Sequence, residues 1–320
     1  MTQVVVAAAV QATPVFLDRD ATVEKVVELT EKAAAQGAGL VVFPEAFVPA
    51  YPDWVWRTPA WSDRPFYEAL AREAVSVPST ATDRMGEAAR AAQAWLAVGV
   101  NERDPNGGTL LQHLAVLRTR RHPRRPAPQA DTDRRRAHHL GPRRRLHTFR
   151  ARHRVRPARR PDLLGELHAT GPSGALRPGL DVHLAPTWDT SDCWLATLRH
   201  IAKEGRVYVI GTNSYLRGSD VPAGLPGRDG IYGGDEDHLS HGGTAIIGPD
   251  GTVLALPLHD QEGILYAEID VAVARASRRE FDPVGHYARP DVFTLTIDTT
   301  ARPPAIFANE NSAGPDAAPP

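Results

Sequence analysis

Leu40-Val41-Val42-Phe43-Pro44-Glu45-Ala46-Phe47-Val48-Pro49-Ala50-Tyr51-Pro52-Asp53-Trp54-Val55-Trp56 is the stretch on which the fold reading turns. Four apolar residues, three of them β-branched or aromatic, read as a short buried strand. Pro44 ends that strand, and Glu45 follows directly. Four aromatic residues, Phe47, Tyr51, Trp54 and Trp56, crowd the next eleven positions, with Phe43 just before. A carboxylate placed there would be partly desolvated, and its pKa would be expected to rise toward the range useful for proton transfer. Taken alone, a surface glutamate after a strand is the plainer reading.

On the N-terminal side, Gln3 to Gln11 is an apolar run too short and too β-branched at its start to favour a helix. Asp18 and Asp20 are good N-terminal capping types for the helical pattern that follows. In it Val23, Val26, Val27, Thr30, Ala33 and Ala34 share one face, and Glu24, Lys25, Glu28, Glu31 and Lys32 the other. Gly37 is its stop. Downstream, Asp83 to Ala94 reads as a second helix and Trp95 to Val100 as a third strand. Strand, helix and strand in this order imply a sheet covered by helices, an α/β fold.

From residue 179 the same texture returns. Val182 to Ala185 and Arg206 to Gly211 are strands flanking a helix over Ser191 to Gly205. Thr244 to Ile247, the turn Pro249-Asp250-Gly251 and Thr252 to Leu256 form a hairpin. Gly263 to Asp270 is one more strand and Val271 to Phe281 one more helix. The tail, 303–320, is rich in Pro, Ala, Asn and Gly and is expected to be disordered.

Between these halves the chain changes character. Residues 118–160 hold 17 arginines, no lysine and two acidic residues, Asp131 and Asp133, a local charge of about +15 against about -16 elsewhere. Prolines interrupt the segment, and a compact domain rarely contains so long a stretch without elements. The whole chain has only three lysines, Lys25, Lys32 and Lys203, and one cysteine, Cys193. That composition excludes an internal disulfide framework. With no signal-like N-terminus and no long apolar run, it also argues against membrane insertion. The cytoplasm is the expected compartment.

The Glu45 stretch resembles the first signature of the nitrilase branch of the carbon–nitrogen hydrolases. Val98-Gly99-Val100-Asn101-Glu102-Arg103, Leu184-Ala185-Pro186-Thr187-Trp188-Asp189, Arg199 to Arg206, Gly230-Ile231-Tyr232-Gly233-Gly234 and Phe281 to Tyr287 are similar to later parts of that family. The resemblance covers roughly 1–116 and 179–300. It implies a four-layer α-β-β-α sandwich over 1–302 that pairs into homodimers or larger oligomers and uses no metal or organic cofactor. It also implies hydrolysis of a small nitrile to a carboxylic acid and ammonia through a cysteine thioimidate, with Glu45 as general base and a lysine stabilising the developing charge. Tyr51, Trp54, Thr187 and Trp188 are the substrate-pocket candidates it suggests. For Trp54, packing in the core is an equal reading. An amidase or carbamoylase of the same superfamily is the nearest alternative, and the Pro-Ala-Tyr-Pro-Asp-Trp run after Glu45 favours the nitrilase branch.

The family's lysine and cysteine motifs are absent as written. Reading Pro161 to Thr170 one base out of step can yield Leu-Ile-Cys-Trp-Glu-Asn-Tyr-Met-Pro. Pro126 to Asp133, shifted alike, can yield Arg-Arg-Pro-Lys-Leu-Ile-Pro-Thr, and Thr132 to Gly141 a continuation. Three motifs in order with one shift point to a compensated frameshift, entered near Leu110 to Leu111 and left near Pro178 to Gly179. The lost cysteine codon would straddle Leu163–Leu164 and the lost lysine codon Gln129–Ala130. Residues 111–178 are then expected to be poorly ordered, and the chain as written to be inactive.

The alternatives are a catalytically dead scaffold with nonspecific polyanion binding, or a reactive Cys193 near the pocket. Specific nucleic-acid binding is not expected, because only Phe149 is aromatic within the arginine-rich stretch. Asp235, Asp237, His238 and His241 fit no standard zinc or calcium spacing and read as a polar loop. His200 and His286 read as helix-surface or packing residues.

Overall fold

The computed structural model describes residues 4–59, 62–104, 110–117, 149–154 and 180–292. The chain divides into two compact units, Met1–Ala288 and Arg289–Pro320. The second is described only at 289–292, where Arg289 pairs with Asp291 at 2.6 Å. The boundary expected at 302 and the tail 303–320 lie outside the described residues.

Strand alternation builds the first unit. β1 (Val4–Gln11) turns Ala8 and Val10 to one side and Ala7 and Ala9 to the other. The outward set packs beneath α1 (Arg19–Ala35) and α3 (Thr80–Ala91), against Val23, Val26, Met85 and Ala89. The inward set meets a second sheet through Tyr208, Ile210 and Ile246. On the far side of that sheet, Val209, Ala245 and Ile247 pack on Trp194, Leu198 and Ile201 of α4 (Asp192–Gly205). The result is the expected α-β-β-α sandwich. Each fully buried isoleucine at its centre contributes about 1.5–3 kcal/mol relative to exposure.

The first sheet runs β11-β1-β2-β3-β4-β5, with β2 Ala38–Val42, β3 Trp95–Arg103, β4 Leu110–Leu117, β5 Phe149–Arg154 and β11 Gly263–Asp270. β1, β2 and β3 are parallel, and β4, β5 and β11 are antiparallel to their neighbours. The second sheet runs β10-β9-β7-β6, from β6 (Val182–Thr187), β7 (Tyr208–Asn213), β9 (His238–Ile247) and β10 (Val253–His259). The short β8 (Tyr215–Arg217) pairs with β9 beside it.

Several local expectations match closely. Asp18 caps α1 by accepting from the Ala21 amide at 2.9 Å, and Gly37 follows the helix at φ +84°. The hairpin closes through Gly248 N to Thr252 O at 2.8 Å, with Gly251 at φ +87°. α5 (Val271–Ser277) is shorter than the helix expected to reach Phe281.

Three of the elements that were not expected bear on the sheet and its cover. α2 (Arg64–Glu73) carries Pro65 in its first turn and buries Phe66, Ala69 and Leu70, a spacing obscured by neighbouring prolines and charges. β4 pairs with β3 as far as Leu117, so the ordered sheet runs past Leu110 to Leu111, where poor order was expected to begin. β5 lies inside the arginine-rich stretch, where Phe149, Ala151 and His153 alternate with Arg150, Arg152 and Arg154 at strand period. The rest of 118–178 lies outside the described residues.

Candidate active site

Parallel strands of open α/β sheets present ligand sites past their carboxyl ends. Here the carboxyl ends of β2 and β3 in one sheet and β6 and β7 in the other come together. Thr212, at the end of β7, donates to the Phe43 carbonyl at 3.1 Å, a buried hydrogen bond that ties the second sheet to the residue two before Glu45. Asn213 donates from Nδ2 to the Asp189 carbonyl at 2.7 Å and from its backbone amide to Thr244 Oγ1 at 2.9 Å. Thr244 in turn donates its amide to Gln11 Oε1 at 3.0 Å. This buried polar chain fixes the relative height of the two sheets at the end where Glu45 stands.

Glu45 occupies the turn just after β2 and is half-buried between wholly buried neighbours. Its loop lies flat on β3. The Val48 amide donates to Gly99 O at 3.0 Å, Asn101 N donates to Val48 O at 2.8 Å, and Asn101 Nδ2 donates to Ala50 O at 2.9 Å. The approach requires glycine at 99: a Cβ there would come 2.2 Å from the Pro44 oxygen and 2.4 Å from the Ala46 nitrogen. Ala46 itself is held at φ +46°, the left-handed region, which a non-glycine residue adopts at a cost of about 1–3 kcal/mol. A strained backbone beside the candidate base is therefore over-determined by β3.

The aromatic residues divide. Tyr51 is buried and its ring stacks on Trp188 at 4.5 Å and 4°, while Trp56 Nε1 donates to its hydroxyl at 3.4 Å. Burial, reinforced by the Glu45 charge, pushes the Tyr51 phenol far above its ordinary range. It therefore stays protonated and neutral beside a carboxylate. Thr187 is buried at the end of β6 and accepts the Asp189 amide at 3.1 Å. Trp54 is enclosed in a core cluster with Phe16, Phe66 and Tyr232, against which Trp188 also packs. Of the four pocket candidates, Tyr51 and Trp188 are in contact, Thr187 precedes Trp188 in sequence, and Trp54 belongs to the core.

Other buried polar groups escaped sequence reasoning. Asp53 accepts from Tyr232 Oη at 2.9 Å and from Arg57 Nε at 2.7 Å. Burial raises the Asp53 carboxyl above the usual range, although both partners pull it down. Glu102 on β3 pairs with His113 on β4, both largely buried. Thr212 and Asn213 had a signal in the sequence: polar residues closing an otherwise apolar strand at its carboxyl end. Cys193 is exposed on the first turn of α4.

The carbon–nitrogen hydrolase family model matches residues 6–171 and 177–279. An aliphatic nitrilase of Sinorhizobium fredii is 34% identical over 313 residues, covering 91% of this chain and 95% of its own. The chain is a member of the nitrilase branch of the carbon–nitrogen hydrolases. A bifunctional nitrilase/nitrile hydratase of Nicotiana tabacum is 32% identical over 339 residues, covering 97% and 91% of the two chains. Among solved structures, Saccharomyces cerevisiae Nit3 superposes with a TM-score of 0.61 at 16% identity, over 89% of this chain and 97% of that one. A carbon–nitrogen hydrolase from Helicobacter pylori G27 gives the same TM-score and identity over 90% and 97%. These two establish the fold of this nitrilase-branch chain. No described helix is long and apolar enough to cross a membrane.

Proposed function

We propose that this framework is built to hydrolyse a nitrile to a carboxylic acid and ammonia, with Glu45 as general base. The observation that carries the reading is the likeness to an aliphatic nitrilase over 91% of the chain. In the proposed reaction a cysteine sulfur bonds to the nitrile carbon while Glu45 takes the thiol proton and returns it to the nitrogen. Glu45 then takes a proton from water, which attacks the thioimidate carbon, and the tetrahedral adduct expels ammonia. A second water releases the acid and restores the thiol. Tyr51 and Trp188 form one wall of the substrate space, and Tyr51 supplies a hydroxyl beside Glu45. Self-association into a homodimer or larger oligomer accompanies this reading.

The nucleophile and the lysine are proposed to be encoded one base out of step within 111–178, so the chain as written retains Glu45 without them. Cys193, the only thiol in the sequence, is not their replacement. Two measurements test this. Sequencing the DNA for 111–178 should give the cysteine and lysine motifs when shifted; codons that cannot do so overturn the frameshift. Ammonia release from an aliphatic nitrile should be absent for the chain as written and present for the frame-restored chain. In the latter, Glu45→Gln should cost about 10²–10⁴-fold, the range for a positioned general base. Turnover by the chain as written that Cys193→Ala abolishes would refute the mechanism.

A further inference from the structure

His238 and His241 lie three positions apart on β9, and strict alternation would point their side chains to opposite faces of the strand. The pairing with β8 prevents this. Tyr215 stands opposite His241 and Leu216 opposite Ser240, but Arg217 stands opposite His238, so Leu239 is an extra residue. A bulge of this kind turns one side chain back to the same side. The two imidazoles stack at 5.1 Å between centroids and 4° between planes. Both direct Nδ1 at the same carboxylate oxygen, Asp260 Oδ1, at 3.0 Å from His238 and 2.6 Å from His241.

Asp260 comes from the turn after β10, 19 residues beyond His241 in sequence. His259 pairs with Gly242 across the β9–β10 ladder, and the Asp260 amide donates to the His241 carbonyl at 2.9 Å. Backbone bonds therefore hold the three donors in place. One nitrogen or oxygen from each residue lies within 4.8 Å of the other two. Both histidines also line a surface depression of about 540 Å3, with Glu236 and Asp237 on its wall.

We propose that His238, His241 and Asp260 form a binding site for a borderline divalent transition metal of the zinc class, with water from the depression completing the coordination. Two imidazoles and one carboxylate match zinc, which takes nitrogen and oxygen ligands at about 2.0–2.2 Å in a tetrahedron. The same set disfavours calcium and magnesium, which need an all-oxygen shell. In the metal-free arrangement the donors already converge, so binding requires small ring adjustments and exchanges hydrogen bonds for metal bonds. The bound ion would tie β9 to the β10–β11 turn and brace the bulge. None of the three donors belongs to the Glu45 loop, and the proposal does not depend on the catalytic reading.

Zinc chloride titrated calorimetrically into the full chain should show one saturable equivalent, and cobalt(II) should give the intense visible bands of a tetrahedral site. His241→Ala and Asp260→Asn should each weaken zinc at least about tenfold, the loss seen even for groups outside the first coordination sphere. His200→Ala, on the exposed face of α4, should leave affinity unchanged. Both site residues are more than half exposed, and Asp260→Asn keeps the side-chain shape, so an unchanged metal-free melting temperature confirms that each variant is folded. Failure to see saturable binding, or affinity unaltered in both site variants, overturns the proposal.

Discussion

Replacing Gly99 by alanine tests whether Glu45 is positioned by contact of its loop with β3. The new Cβ would stand 2.2 Å from Pro44 O, 2.4 Å from Ala46 N and 2.8 Å from the Glu45 carbonyl carbon. Ordinary contact needs about 3.5 Å or more, so the loop must lift by on the order of 1 Å. All three atoms are backbone, and none can rotate aside. Overpacking of this kind costs about 1–3 kcal/mol, against a gain of about 0.4–1 kcal/mol from the stiffer unfolded chain. Two other glycines calibrate the result. At Gly211 the nearest atom is Leu198 Cδ1 at 2.5 Å, the end of a rotatable side chain, so alanine there should cost less. At Gly86, inside α3, nothing lies within 4 Å, and alanine should stabilise by about 0.5–1 kcal/mol. Urea unfolding of the three variants at one pH gives the order directly. In the frame-restored enzyme a displacement of this size should also lower turnover by about a hundredfold. A Gly99→Ala variant as stable as Gly86→Ala would refute the described seating of the loop.

Two pH-linked predictions follow from one half-buried and one buried carboxylate. Burial alone would push Asp181 up, but Arg275 at 2.6 Å and Arg278 at 3.0 Å more than reverse it, and its carboxyl is lowered. A lowered carboxyl stabilises above the ordinary carboxylate range and loses that contribution as pH falls through its folded value. Asp181→Asn should therefore cost about 1 kcal/mol at pH 7, with the gap to the parent closing as pH falls through the lowered folded value; a constant gap in urea midpoints would contradict this. Asp53 carries the opposite sign, because burial raises it despite Tyr232 and Arg57. Its contribution is full below about pH 4 and is lost as pH rises through the raised folded value, so Asp53→Asn should gain on the parent as pH rises. Tyr232→Phe removes a donor from that buried carboxylate and should cost about 1.5–3 kcal/mol at pH 7; a variant within 0.5 kcal/mol of the parent by urea unfolding, a difference of about the size seen for inert surface substitutions, would show that the bond is not maintained.

Much of the framework was legible because its strands carry one message at two scales. Ala7 and Ala9 against Ala8 and Val10 show a strand buried on both faces, and capped α1 between two such strands shows the crossover. What stayed hidden depends on partners distant in sequence. Nothing near Trp54 says that Phe16, Phe66 and Tyr232 will enclose it, whereas Tyr51, three residues earlier, meets Trp188. The same holds for His238 and His241. Their spacing reads as a loop until a bulge and a residue from the next turn, Asp260, complete the cluster. Thr212 and Asn213 are an intermediate case, since polar residues at the end of a buried strand advertise a task without naming the acceptor.

The layout also explains how a chain can keep this fold while its middle changes character. Among the described residues, β1, β2, β3 and β11 pair with one another, and β6, β7, β9 and β10 do the same. The fully buried residues of the inner faces, and the Thr212 bond that joins the sheets at Glu45, come from before 104 or after 180, and β4 adds only the partly buried Leu114 and Val116. Only the β4–β5 edge draws on 110–154, and it lies beyond β3, away from the β1–β2 centre. Loss of sense in the middle would therefore remove chemistry before architecture. Glu45, anchored by Gly99 and Asn101 from its own half and by Thr212 from the other, would keep its place whether or not a nucleophile stands opposite it.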